Sequence, residues 1–278
     1  MSDPGSEHLR EPAQHPEAET DGVEGTPEGR RIIELLWSGA PPAARGPKPK
    51  FSLDDIVSAG VAVADAEGLD SLSMRRVANR LGVGAMSLYT YVPGRSELLE
   101  LMIDAAYGEL ELPKTTATWR NRLEFLTGER WQLYRRHPWL LDYNMNRLPL
   151  GPHVLDVEEA MYAAVAAAGL RGTDVVAVTN LIGWQLLGAA RAQISDADEE
   201  RHTGTSSEAY WMSRVSFWTT HFDYQRFPTM AQIWEAGGFD DEAGYDADQG
   251  IARLLDAIEI MIKNDLLPSA AAGPVGGD

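Results

Sequence analysis

SMRRVANRLGVGAMSLYTYVPGRSEL, residues Ser73 to Leu98, decides the fold. Ser73 stands where an N-cap hydroxyl is needed. Met74, Val77, Ala78 and Leu81 follow as an apolar stripe of helical period, with Arg75, Arg76 and Arg80 on the opposite face. Gly82 ends this helix, because glycine tolerates the left-handed conformation of a C-cap. Val83 can then anchor the turn, and Gly84 lets a second helix begin at once. In that second helix Leu88 and Val92, four apart, face inward, which leaves Ala85, Met86, Ser87, Tyr89, Thr90 and Tyr91 on or near the outer side until Pro93 and Gly94 stop it. A helix with few charges, tyrosines outside and arginines on its neighbours suits a DNA major groove, where phosphates take cations and hydroxyls and base edges take close contact. Taken alone, the pattern also fits two helices packed in a core.

The upstream sequence narrows that choice. Ser52 caps a helix from Leu53 to about Ala66, with Leu53, Ile56, Val57, Gly60 and Ala64 on one side and Gly68 closing it, so the module has three helices. From Phe51 to about Gly108 the chain closely resembles the N-terminal DNA-binding domain of the TetR/AcrR family of bacterial regulators. The matching elements are Ala-Glu-Gly at 66–68, the Ser-x-Arg-x-Val-Ala pattern from Ser73, the Leu-Gly-Val turn, Ser-Leu-Tyr-x-Tyr-Val from Ser87, and Glu97-Leu98-Leu99. Any one of these is weak; their order and spacing are strongly specific.

The resemblance assigns roles by position. Arg75 is similar to the family residue that reaches a guanine edge, a bidentate contact worth about 1–3 kcal/mol of discrimination. Ala85, Met86 and Tyr89 fall where the family touches base edges and thymine methyls. Ser87, Tyr91 and Arg95 fall where it holds phosphates. Ala85 departs from members with a polar residue there, so readout from this helix is expected to be mostly apolar, leaning on Arg75 and DNA shape. Tyr89 also has a packing reading, with its ring against the neighbours of Leu88.

Residues 1–29 mix Pro, Glu, Gly and Ser with almost no large apolar side chains and read as a disordered acidic arm. Residues 30–50 read as a basic arm with a short helix. Arg30 to Trp37 carries enough apolar residues for two helical turns able to dock on their own domain, and Gly39-Ala40-Pro41-Pro42 breaks them. In the RGPKPK run that follows, Arg45, Lys48 and Lys50 are placed to enter a minor groove beside the three helices; the alternative is a solvated linker.

After the DNA-binding unit at 51–112, residues 113–267 read as a second, all-helical unit, followed by a low-complexity flexible tail at 268–278. Helices are expected at Trp119 to Arg136 and at about 152–168, 173–194, 208–224 and 248–265, and strand signals are nearly absent, so the fold class is all-α: a three-helix helix-turn-helix domain plus a helical bundle. By resemblance, the helices at 173–194 and 248–265 form a four-helix homodimer interface, which sets two reading heads about one DNA turn apart on a palindrome. The unit is rich in aromatics. Most are expected in the core; by resemblance to the family, whose pocket lies among the helices that carry them, Trp131, Trp139, Trp184 and Phe222 are the candidates for a ligand pocket, with Gln185, Asn180, Arg191 or His221 orienting a sizeable, mostly apolar molecule.

Composition agrees with this reading without producing it. The 278 residues carry no cysteine and a formal net charge of −18, with acid concentrated in the first thirty residues, at Asp196 to Glu200 and around Asp240 to Asp248. Charge local to a binding face matters more than the total. Without cysteine there is no disulfide or thiolate chemistry, and with no signal-peptide pattern or long apolar run the expectation is the cytoplasm and no membrane partner. The six histidines lack ligand spacing and no nucleophile elbow or phosphate loop is present, so no metal, cofactor or catalytic residue is expected. The sequence therefore reads as a homodimeric DNA-binding repressor released by a small apolar or aromatic molecule. The alternatives are an activator, a ligand-independent regulator, or a helical ligand-sequestering or catalytic protein.

Overall fold

Gly68, Gly82 and Gly204 adopt positive φ at 79°, 69° and 69°, and each follows a helix that would otherwise run on. The computed structural model describes residues 25–38, 51–239 and 247–264, and among these every regular element is helical. Arg45, Lys48 and Lys50 lie outside the described residues, as does the tail at 268–278.

The reading head is built from α2 (Leu53–Glu67), α3 (Met74–Leu81) and α4 (Ala85–Leu88). A capping box starts α2: the Ser52 amide donates to Asp55 Oδ2 at 2.7 Å, and the Asp55 amide donates to Ser52 Oγ at 3.1 Å. The backbone bond from Ser52, joined by its hydroxyl, holds the Asp55 carboxyl below its ordinary range. Ile56, Val57, Gly60 and Ala64 are buried as the periodicity requires. A Cβ on Gly60 would lie 2.7 Å from Met102 Sδ, so glycine lets α2 cross α5 (Arg95–Tyr107) closely.

An additional helix precedes the head. α1 (Pro27–Ser38) buries Ile32, Leu35 and Leu36 and packs against α5, and Trp37 Nε1 donates to the Leu150 carbonyl at 2.8 Å. Residues 27–29, expected in the disordered arm, belong to this helix, because the Thr26 hydroxyl accepts the Gly29 amide at 3.1 Å.

The body packs α6 (Trp119–Arg136), α7 (Pro152–Ala167), α8 (Thr173–Thr203) and α12 (Ala247–Lys263) around one another. Arg120 ties α6 to α12 through Asp256 at 2.7 Å and Glu259 at 3.3 Å. Three expectations change. α8 continues past 194 to Thr203, because the polar 195–203 stretch holds no breaker before Gly204 and is helped by an Asp198–Arg201 pair. The single helix expected at 208–224 is two, α9 (Ser207–Met212) and α10 (Ser216–Thr220). At the break, Ser213 Oγ and Arg214 Nη1 both donate to the Tyr210 carbonyl, competing with the helical ladder. α11 (Pro228–Glu235), unanticipated, starts on a proline at its first position. Against the expectation of no long apolar run, α8 is by length and composition apolar enough to cross a membrane, with mean hydropathy 1.2 over its best stretch. Here it serves as a bundle helix against α6, α7 and α12.

Candidate DNA-reading face and ligand cavity

α3 ends in a tight cap: the Gly82 amide reaches Asn79 O at 3.2 Å and the Val83 amide reaches Ala78 O at 3.0 Å. α4 is a single turn. Its length is too short to stand alone, and it is held by full burial of Leu88 and Val92, whose amide bonds Leu88 O at 2.9 Å. That anchoring turns the rest of the segment outward. Met86 is 77% exposed and Tyr89 43%, while Ser87 and Arg75 are also exposed and Ala85 packs partly on the core. Tyr91 is half-buried, its ring 5.1 Å from that of Phe51. Arg76 pairs with Glu67 on α2, so of the two exposed arginines opening α3, Arg75 is the one without a carboxylate among the described residues.

Arg95, expected at a phosphate, is exposed and also spends two donors within the head. Its Nε donates to Leu72 O and its Nη2 to Leu69 O, both at 2.9 Å, fastening the start of α5 to the 3-10 turn Leu69–Ser71 that leads into α3. Both acceptors are backbone carbonyls more than twenty residues upstream, which no local spacing signals.

In the body, a cavity of about 300 Å³ lies between α6, α7 and α8. Its α8 wall is the stripe Asn180, Gly183, Trp184, Leu187 and Arg191, spaced by three and four as one helical face requires. Trp184 was expected there, with Asn180 and Arg191 as orienting groups. The other three aromatic candidates are elsewhere. Trp131 is one position past Arg130, and it is Arg130 and Tyr134, four apart, that α6 turns to the cavity. Trp139 is 2% exposed and its indole N–H donates to Asp65 Oδ1 at 2.8 Å, at the junction with the reading head. Phe222 sits in an aromatic cluster of the 207–239 segment, 5.0 Å from Trp218 and 4.9 Å from Tyr224 by ring centroid. Gln185 and His221 are likewise off the wall.

The cavity floor is a buried cation. Arg130 Nη2 donates to the hydroxyls of Tyr107 and Tyr134 at 3.3 and 3.5 Å, and Nη1 lies 3.5 Å from Glu158. Burial opposes its charge, yet these neighbours keep it protonated above its ordinary value, and burial pushes the Tyr107 phenol up so that it stays neutral. Two wall atoms, Arg130 Nε and Thr179 Oγ1, are buried without a hydrogen-bond partner. Among the described residues no group of three His, Cys, Asp or Glu could hold a metal ion.

A third cluster escaped sequence reasoning. His137 is buried between Asp65 of α2, 2.7 Å from its Nδ1, and Glu109, 3.1 Å from its Nε2, with Trp139 on the same Asp65 oxygen. No local spacing signals the role of His137, since its partners are 28 and 72 residues away.

Residues 56–102 match the family model for bacterial regulatory proteins of the tetR family, and residues 112–262 match the tetracyclin repressor-like C-terminal domain. DrrR1, an HTH-type transcriptional repressor of Streptomyces coeruleorubidus, is 41% identical over 237 residues, spanning 84% of this chain and 86% of its own. An HTH-type transcriptional regulator of Saccharopolyspora erythraea is 32% identical over 201 residues, 72% of this chain and 81% of that protein. The fold superposes on ActR of Streptomyces coelicolor in complex with actinorhodin with a TM-score of 0.63 at 26% identity, covering 81% of this chain and 99% of ActR. With one model on the reading head and another on more than half of the chain, this protein belongs to the TetR family of bacterial transcriptional regulators.

Proposed function

We propose that the protein is a homodimeric, ligand-responsive repressor of the bacterial cytoplasm, without catalytic activity of its own, that occupies a palindromic operator until a small molecule enters the helical domain. The observation that carries this is Met86: a large apolar side chain 77% exposed, beside exposed Tyr89 and Ser87, on a turn that buried Leu88 and Val92 hold in place. Such a surface fits base edges and thymine methyls, with Arg75 on the adjacent helix reading a guanine and Ser87 and Tyr91 at the phosphates. Arg45, Lys48 and Lys50 follow the neighbouring minor groove. The complex of ActR with actinorhodin supports a small-molecule ligand, and the lining of this cavity suits an aromatic one, for which Trp184 supplies a flat wall and Asn180 and Arg191 the polar ends.

The test is an anisotropy titration of a duplex drawn from upstream of the coding region, against a scrambled duplex, at about physiological salt. Specific binding near or tighter than about 10⁻⁸ M, with the scrambled duplex weaker by roughly 10³-fold or more, is the expected result. Equal, weak binding of that duplex, and of every duplex recovered by selection from random DNA, would overturn it.

A further inference from the structure

Arg191 belongs to two structures at once. It lines the cavity, and it donates from Nε at 3.1 Å and from Nη2 at 2.5 Å to one oxygen, the carbonyl of Leu141. Leu141 lies in the 3-10 turn Pro138–Asp142, whose opposite side faces the reading head. There Trp139 donates to Asp65 Oδ1, and His137, the residue before the turn, bonds the same oxygen. Asp65 is in the last turn of α2, the helix packed on α3, which carries Arg75. Two sets of hydrogen bonds, joined by the backbone of the turn between Trp139 and Leu141, therefore connect a cavity arginine to the DNA-reading domain.

The Leu141 carbonyl is a weak hold for a guanidinium. Arginine's fork is matched by the two coplanar oxygens of a carboxylate, whereas here Nε and Nη2 share one neutral oxygen, which offers neither a second acceptor nor a negative charge. Among the described residues no carboxylate pairs with Arg191; the one carboxylate on the cavity wall, Glu158, already faces Arg130. The wall thus holds two cations to one anion. Two wall residues also hold a buried atom without a partner, Arg130 Nε and Thr179 Oγ1, and Trp184 offers an aromatic face.

Resting on the function proposed above, we infer that Arg191 is the residue that reports cavity occupancy: an aromatic acid takes its guanidinium from Leu141, frees the 138–142 turn, and loosens the grip of His137 and Trp139 on Asp65, so that the head leaves DNA. The clasped arrangement is the DNA-binding one. A ligand shifts such an equilibrium only by its differential affinity for the two states, and competition for Arg191 supplies that difference.

The experiment uses the full chain and an operator selected from random duplexes by the wild-type protein. Without any ligand, Arg191→Ala weakens operator binding by about tenfold, within the 5–150-fold span of ordinary coupling. Asp65→Ala does the same, and the double variant is no worse than either single one. Arg191→Lys, which keeps the charge and most of the packing but loses the fork, falls between. Backbone amide exchange in 138–143 quickens in Arg191→Ala while α7 is unchanged, a readout that general destabilisation would not give. Anthraquinone-2-carboxylate binds the wild type at least tenfold more tightly than 2-methylanthraquinone by calorimetry, and Arg191→Ala erases the difference. If the wild type selects no operator, the function itself is wrong. If it selects one and both Arg191 variants bind it as well as wild type, or the losses at 191 and 65 simply add, the relay is overturned; carboxylate binding no tighter than the methyl analogue, or absent, overturns the ligand class.

Discussion

Arg75 and Ser87 are both exposed on the reading face, yet they ask different things of DNA. A guanidinium that forks onto one guanine gains nothing from other sequences, whereas a hydroxyl on a phosphate gains the same from all of them. Arg75→Ala is therefore expected to cost about 1–3 kcal/mol on the operator and to flatten discrimination at a single base-pair position. Ser87→Ala should weaken every duplex alike and leave the ranking of base variants intact. Titrating both variants against a set of single-base operator substitutions separates the two; a Ser87→Ala ranking that changes, or an Arg75→Ala ranking that does not, would reverse the assignments. Which residues point outward here was legible because the signal is local: Leu88 and Val92 sink by their spacing, and Met86 and Tyr89 must then rise. Arg95 was not legible, since its partners are the carbonyls of Leu69 and Leu72, fixed only by the fold of the whole head.

Between elements, the junction of α3 and α4 rests on backbone conformation and backbone hydrogen bonds. Gly82 sits at φ 69° and ψ 31°, and a Cβ there would meet no atom within 4 Å, so the cost of replacing it is conformational rather than steric. Gly82→Ala should lower the stability of the head by about 1–2 kcal/mol, the usual penalty for a side chain in the left-handed region, without repacking Leu88 or Val92. Urea unfolding followed by circular dichroism would show a lower midpoint with an unchanged slope; an unchanged midpoint would mean the turn relaxes to another conformation. Helix identities were readable where caps and period agree, as at Ser52, Ser73 and Trp119 to Arg136. They failed at 208–224, where Ser213 and Arg214 spend side-chain donors on the Tyr210 carbonyl, a competition that hydrophobic period does not register. The cavity was half legible for the same reason. Periodicity gives the face of α8 that holds Asn180, Trp184 and Arg191, but not whether an aromatic on a neighbouring element, such as Trp139, meets a void or an aspartate.

For the molecule as a whole, a formal charge of −18 per chain sets a problem that a single small head solves poorly. Each protomer brings acid towards a polyanion, and the arginines of one reading face offset only part of it, so one head should bind DNA weakly. Two heads fixed by a two-fold axis convert the second contact into an intramolecular one, with avidity set by whether both half-sites can be reached together. The surface available for such an axis is apolar: Val176 and Leu181 on α8 and Ile260 on α12 are exposed in the single chain. A dimer of this kind holds its heads at one separation, about one turn of DNA or a multiple of it. Inserting five base pairs between the operator half-sites turns the second half-site through roughly half a helical turn, away from its head. Affinity should then fall by at least about 10²-fold, towards that of an isolated half-site, with a shallower dependence on salt because fewer phosphates are neutralised. Anisotropy titrations of the native and lengthened operators over a range of salt would measure both effects. Equal affinity for the two would show that the heads move independently and that the helical body does not set their spacing.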